Sequence, residues 1–354
     1  MANPKKEEKK SITSQAYEER GIHESILKLI ESYGGSPDAN LIEEMIKTVL
    51  KLVEDQTNRG DLKILNTTLK ELRYAFKVFS AYRPIRKVSV FGSARIREGE
   101  SIYQQAADFS QQITQLGFMV ITGAGDGIMK ASQGGAGREK SFGVKIRLPF
   151  EQFPNEFIVN DPKLITFKYF FTRKLVFVKE TDAIVIFPGG FGTHDEAFES
   201  LTLIQTGKAK PFPLVFIDRS GGTHWHQWLE YVEKYLLKPQ LISPDDLSLF
   251  KVTDSVDEAV REIITFYRSY HSSRFVNGQL IIRLTHPIDD DTLDLLNRCF
   301  GSMLTEGKIE RSDPLPDEAD ELELLHLPRL ALWFNRKDFG KLRQMIDLIN
   351  SIEP

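Results

Sequence analysis

From Ala183 to Glu199 the chain reads AIVIFPGGFGTHDEAFE: an apolar run, a proline, three glycines around a phenylalanine, a threonine, then acids. A short apolar run closed by Pro and Gly reads as a buried strand, and the residues after it as a helix. Pro188 ends the strand. The glycines let backbone approach a ligand closely, and a helix beginning near Gly192 turns its free N–H groups toward the same point. A glycine loop, a helix N-terminus and the Thr193 hydroxyl together suit a phosphate. The plainer alternative is a tight strand-to-helix turn with no ligand.

Working outward, the same rhythm recurs. The strands KVSVFG, FMVITG, FGVKIRL, DAIVIF and PLVFI alternate with amphipathic helices between about residues 86 and 271. Alternation of this kind predicts an α/β domain, a Rossmann-like parallel sheet with helices on both faces. Ligands of such sheets bind at the carboxyl ends of strands, where strand order reverses. Two more strand ends are unusual: VSVFGSAR places Gly92, Ser93 and Arg95 after a strand, and VITGAGDGIMKA places Gly123, Gly125 and Gly127 between a strand and a helix.

Residues 16–85 carry three- and four-residue apolar spacing, broken at Pro84, and predict a helical unit of two to four helices. Residues 275–354 alternate strand and helix patterns and predict a small α+β unit. Residues 1–15 are charged and read as a disordered tail.

Composition removes several classes of function. A net charge of −4 without a dense basic stripe argues against a nucleic-acid partner. No apolar run reaches the roughly 20 residues of a membrane span, and the N-terminus lacks a signal peptide's apolar centre. The one cysteine, Cys299, excludes an internal disulfide and reads as a helical core thiol. A cytoplasmic location is expected. The THWHQW stretch holds His224 and His226 without a third ligand in view and reads as the start of a packed helix, so no metal is expected.

Neither common nucleotide motif fits. No Lys-Ser/Thr pair follows a glycine run as a P-loop requires, and GAGDG has the wrong last spacing for a dinucleotide fold. Asp195 and Glu196 either steady the start of a helix or face the ligand, where a carboxylate stabilises the cation that develops when a glycosidic bond breaks. Arg173 and Lys174 interrupt an apolar helix in KYFFTRKLVFVKE. Their stems can snorkel along apolar neighbours, or Arg173 can reach the substrate or hold Glu196 in place.

FGSAR, TGAGDGIMKA, LPFEQ and YFFTRKLVFVKETDAIVIFPGGFGTHDEAFESLTLIQTGK follow one another in this order, and with them the chain resembles the LOG family. Its members are cytokinin riboside 5′-monophosphate phosphoribohydrolases and related bacterial nucleotide nucleosidases, often labelled lysine decarboxylases. The pattern P-G-G-x-G-T-x-x-E is met by Pro188, Gly189, Gly190, Gly192, Thr193 and Glu196, and the R-K pair by Arg173 and Lys174. The resemblance, over about residues 86–228, implies hydrolysis of a nucleoside 5′-monophosphate, AMP or a related purine nucleotide, to free base and ribose 5-phosphate. It implies Arg173 and Glu196 as the catalytic pair, no metal or pyridoxal phosphate, no other cofactor, and a homodimer or dimer-built oligomer. The candidate substrate-binding residues are Ser93, Gly123, Gly125, Met129, Lys174, Gly189, Gly190, Gly192, Thr193 and Thr202. A cytokinin riboside monophosphate is an alternative substrate, and a nucleotide-binding sensor or scaffold without turnover an alternative role. The chain departs from the compact members at His194 and Asp195, where GTLEE is common, and at Lys130, beside the expected place of the base. The 275–354 unit is an expected effector-binding or oligomerising element.

Overall fold

A computed structural model describes residues 21–149, 153–319 and 321–352. The expected tail at 1–15, and the last three residues of LPFEQ, lie outside the described residues. Contacts divide the chain into Met1–Leu69 and Lys70–Pro354.

The first unit holds α1 (21–32), α2 (Ala39–Glu54) and the first half of α3 (Arg59–Ser80). Ile26, Ile30 and Glu43 are buried there, while Leu41, Met45, Val49 and Val53 form an exposed row at four-residue spacing along α2. Glu43 accepts from both His23 and Lys47 at 2.5 Å.

The second unit opens with the rest of α3 and continues through β1 (Lys87–Phe91), α4 (Ser101–Gln115), β2 (Met119–Thr122), α5 (Ile128–Ala136), β3 (Ser141–Ile146), β4 (Leu164–Phe167), α6 (Phe170–Glu180), β5 (Ala183–Ile186), α7 (Phe191–Gln205), β6 (Leu214–Ile217), α8 (His224–Val232), β7 (Lys251–Thr253) and α9 (Val256–Phe266). Its seven strands are all parallel, in the order β4-β3-β2-β1-β5-β6-β7. Both faces are covered, as a parallel sheet requires. On one side Phe91, Ile121, Phe142, Ile184, Ile186 and Phe216 pack with residues of α3, α6 and α7. On the other Val88, Val90, Val120, Val185 and Val215 pack with α4, α5 and α9. The Rossmann-like expectation holds. Two strands escaped the sequence, β4 and β7, the two edges of the sheet, whose partly exposed residues do not make the continuous apolar run of the central strands.

The chain then forms β8 (Tyr270–Val276), β9 (Gln279–Leu284), α10 (Asp290–Phe300), β10 (Leu304–Ser312), β11 (Arg329–Phe334) and α11 (Phe339–Ser351). The four strands make an antiparallel sheet in the order β10-β11-β9-β8. The expected bounds of the two units, near 271 and at 275, fall within one continuous strand, Tyr270–Val276. Asn277 and Gly278, at φ 49° and 93°, turn it back into β9, the two-residue hairpin that Asn-Gly favours. Cys299 is helical as expected but exposed. The buried side of α10 is the Thr292, Leu296, Phe300 row, and residue 299 falls off it.

Candidate active-site cleft

Strand order reverses between β1 and β5, and the loops that leave those two strands meet there. The Ser93 N–H donates to the Pro188 carbonyl at 3.1 Å, and the Ser93 carbonyl accepts the Ile128 N–H, also at 3.1 Å. The three glycine-rich strand ends are thereby stitched into one surface. Gly127 makes this possible. Its φ is +61°, and a Cβ there would lie 2.3 Å from the Ser93 carbonyl oxygen, so neither the conformation nor the space admits a side chain. Gly189 is similarly closed, since a Cβ would meet the Thr193 hydroxyl oxygen at 2.1 Å.

Gly190 and Gly192 differ, because nothing stands within 4 Å of where their Cβ atoms would be. They open onto a cleft of about 970 Å³. Helix α7 starts at Phe191 with Gly190 as its cap and no side chain capping it. The first N–H groups of a helix have no acceptor within it, so those of Phe191 and Gly192 are presented where backbone is bare. Asp195 and Glu196 were expected in the first turn, but the helix begins earlier than Gly192 and they fall in its second.

Opposite that loop stands α6. Arg173 Nη2 donates to Glu196 Oε1 at 3.1 Å. Both side chains are largely buried, at 14% and 5% exposure. The guanidinium lies between the rings of Phe170 and Phe177, 5.2 and 5.5 Å from their centroids, and its Nε is buried without a partner among the described residues. Burial raises the Glu196 carboxyl above its ordinary pKa, and it outweighs the opposing charges of Arg173 and Lys174. The cleft therefore holds a carboxylate whose ionised form is expensive and a cation placed to keep it ionised.

Of the residues expected at the site, Ser93, Gly123, Gly125, Met129, Arg173, Gly189, Gly190, Gly192, Thr193 and Glu196 all line this cleft. Met129 lies over Gly123 and Gly125, whose absent side chains leave it room. Lys174 and Thr202 are not among the lining residues. Lys174 instead pairs with Asp195 at 2.9 Å and Glu199 at 2.7 Å, and the exposed Thr202 hydroxyl donates to the Phe198 carbonyl. Lys130 is held by Glu98 at 2.6 Å and Glu156 at 3.4 Å, beside a polar recess adjoining the cleft through Arg95 and Phe153. His194 lines the cleft with its Nδ1 3.1 Å from the Gly190 carbonyl and its ring against buried Trp225.

The sequence leaves Glu71 unnoticed. From α3 it accepts the Lys168 N–H at 2.5 Å, just before α6, and the Thr172 hydroxyl at 2.6 Å, one residue before Arg173, and so holds the start of that helix. Nothing local marks it, since it acts across about a hundred residues. Phe170 and Phe177 were legible as residues three before and four after Arg173 on one helix face.

Residues 126–263 match the family model described as possible lysine decarboxylase. No curated protein matches the chain. Similar solved structures include TM1055, 21% identical over 50% of this chain and 97% of that one, with a TM-score of 0.36. The molybdenum cofactor binding protein of Rippkaea orientalis is 18% identical over 51% of this chain and 95% of its own, with a TM-score of 0.35. The molybdenum cofactor carrier protein of Chlamydomonas reinhardtii is 17% identical over 51% and 98%, also with a TM-score of 0.35. Arg173, the PGGFGT loop and Glu196 all lie inside the residues that match the family model, which is that of the LOG family.

Proposed function

We propose that this protein hydrolyses the N-glycosidic bond of a nucleoside 5′-monophosphate, AMP or a related purine nucleotide. The observation that carries the reading is the Arg173–Glu196 pair, buried in the same cleft as an open glycine loop and a helix start. The loop at Gly190, Gly192 and Thr193 takes the 5′-phosphate through N–H groups and the helix dipole. The ribose then lies toward Glu196. As the bond from C1′ to the base nitrogen breaks, C1′ becomes cationic, and the Glu196 carboxylate stabilises that charge. Water adds its oxygen to C1′, and its proton balances the nitrogen of the departing base. Arg173 keeps Glu196 ionised and oriented, and the burial of the pair strengthens the attraction.

A panel of nucleoside 5′-monophosphates incubated with the full chain tests this, with free base as the readout. Base and ribose 5-phosphate in equal amounts support it. A folded protein that binds AMP and releases no base would be a nucleotide-binding module instead, and amine formed from lysine would return the site to the family model's description. Release from an N6-substituted adenosine monophosphate in preference to AMP would move the substrate to the cytokinin class. The reading also carries a dimer, supported by the exposed Phe171 and Leu175, one turn apart on α6, and by Phe191, 97% exposed at the cleft mouth; a monomer by sedimentation would remove that part.

A further inference from the structure

At the amino-terminal edge of the seven-stranded sheet, the end away from the cleft, lies a second cavity of about 470 Å³. Its walls come from four parts of the second unit: Arg83 and Arg86 before β1, Asp182 and Lys210 beside the starts of β5 and β6, Tyr267 to Ser272 at the junction of α9 and β8, and Glu323 with Leu324 from the segment before β11.

The charges of this cavity do not cancel. Lys210 is paired with Asp182 at 2.7 Å, and the second oxygen of Asp182 takes the Lys87 N–H at 2.9 Å. Both oxygens of Asp182 are therefore engaged. Arg83 and Arg86 have no ion-pair partner among the described residues; Arg86 lies flat over the Tyr267 ring, 3.6 Å from its centroid, and Tyr267 is itself anchored by donating to the Asp182 carbonyl at 2.5 Å. The one remaining acid, Glu323, is exposed. His271 spends its Nδ1 on Ser272 at 3.0 Å, and its Nε2 has no partner among the described residues. Burial, and then the positive charges of Arg86 and Arg283, push its pKa down. The His271 imidazole thus shares the cavity with two guanidiniums that have no ion-pair partner among the described residues.

The wall carrying Glu323 and Leu324 is tied down by buried ion pairs and hydrogen bonds. Buried Glu318 binds Arg283 at 2.5 Å and Arg329 at 3.1 Å, and Arg329 donates to the carbonyls of Leu324, Leu325 and Leu327. A preformed cavity of a few hundred Å³ with convergent polar groups is the form of a small-molecule site. Two guanidinium forks match the oxygens of a dianion better than those of a single carboxylate.

We infer that this cavity binds a small phosphorylated ligand, held by Arg83, Arg86 and His271, at a site separate from the cleft. The inference does not depend on the function proposed for the cleft. Pyrophosphate titrated calorimetrically into the full chain is the probe, with Arg83→Gln, Arg86→Gln and the cleft variant Arg173→Gln alongside. Arg83 is exposed and unpaired, so its replacement leaves the fold intact, as circular dichroism would confirm.

The expected result is an equivalent of pyrophosphate that Arg173→Gln retains and that both Arg83→Gln and Arg86→Gln bind at least about tenfold more weakly. A nucleoside diphosphate that displaces it more tightly than pyrophosphate assigns the natural ligand to organic phosphates, and the reverse order to inorganic ones. Binding that is absent, or unchanged in Arg83→Gln, or lost only in Arg173→Gln, overturns the inference. Should the cleft release no base while this equivalent persists, the site stands and the functional reading alone fails.

Discussion

Glu71 on α3 accepts the Thr172 hydroxyl at 2.6 Å and the Lys168 N–H at 2.5 Å, and so ties the start of α6 to a helix about a hundred residues earlier. Arg173 is the next residue, and its 3.1 Å bond to Glu196 depends on where α6 begins. Glu71→Ala should cost about 1–3 kcal/mol of stability, the usual effect of removing hydrogen bonds to a charged group. Catalytic efficiency on a nucleoside monophosphate should fall about tenfold or more through misplacement of Arg173. Denaturant unfolding and steady-state kinetics on one preparation check both, and an unchanged kcat/KM would separate α6 from the chemistry.

Glu196→Gln keeps the shape of the site and removes its charge. Turnover should fall about 100- to 10,000-fold while AMP binding changes little, as calorimetry would measure.

Stability gives the same residue a second test. Burial raises the Glu196 pKa in the folded protein above its unfolded value, despite Arg173 and Lys174. The carboxyl therefore contributes most stability below the unfolded pKa, and that contribution is lost as pH rises through the raised folded value. Glu196→Gln should consequently melt higher than the parent at neutral pH, and the gap should close in acid, below the ordinary glutamate range. Thermal melts of the two proteins from pH 4 to pH 8 check the sign.

Two glycines of the cleft should respond in opposite ways. Gly127→Ala forces a side chain at φ +61° into the Ser93 carbonyl and should destabilise by about 1–3 kcal/mol. Gly192→Ala meets nothing within 4 Å. It should fold normally and raise KM, because its methyl occupies the bare backbone where the phosphate is expected. Unfolding curves and KM values for both variants distinguish scaffold from binding surface.

Glu318 is wholly buried between Arg283 and Arg329. Burial pulls its pKa up, but the Leu315 N–H and the two arginines overcome this and hold the carboxyl below the usual range. Its stabilisation is present above the unfolded pKa and lost as pH falls through the depressed folded value. Glu318→Gln leaves the guanidiniums buried and unmatched and should cost about 3–5 kcal/mol, seen as a lower urea midpoint at neutral pH and a smaller loss on acidification.

Local pattern was enough for the parallel sheet. AIVIF is apolar throughout, and VSVF and VIT break their apolar runs only at buried Ser89 and Thr122, because both faces of their strands are buried; the glycines after them mark loops where chain or ligand comes close. The same pattern located the cleft loop, since GGFGT after a strand places bare backbone at a helix start. Lys174 and Thr202 look equivalent to their neighbours along the chain, yet one is absorbed by Asp195 and Glu199 and the other gives its hydroxyl to the Phe198 carbonyl. Which way a side chain turns is a matter of helix phase and packing, set by residues far off in the sequence. The hold of Glu71 on Lys168 and Thr172, the seam from Ser93 to Pro188 and Ile128, and arginines 83 and 86 without ion-pair partners are of the same kind. They exist only once strand order has brought distant segments to one edge of the sheet, because hydrogen bonds and charge balance act across a few ångströms of space, whatever the distance along the chain.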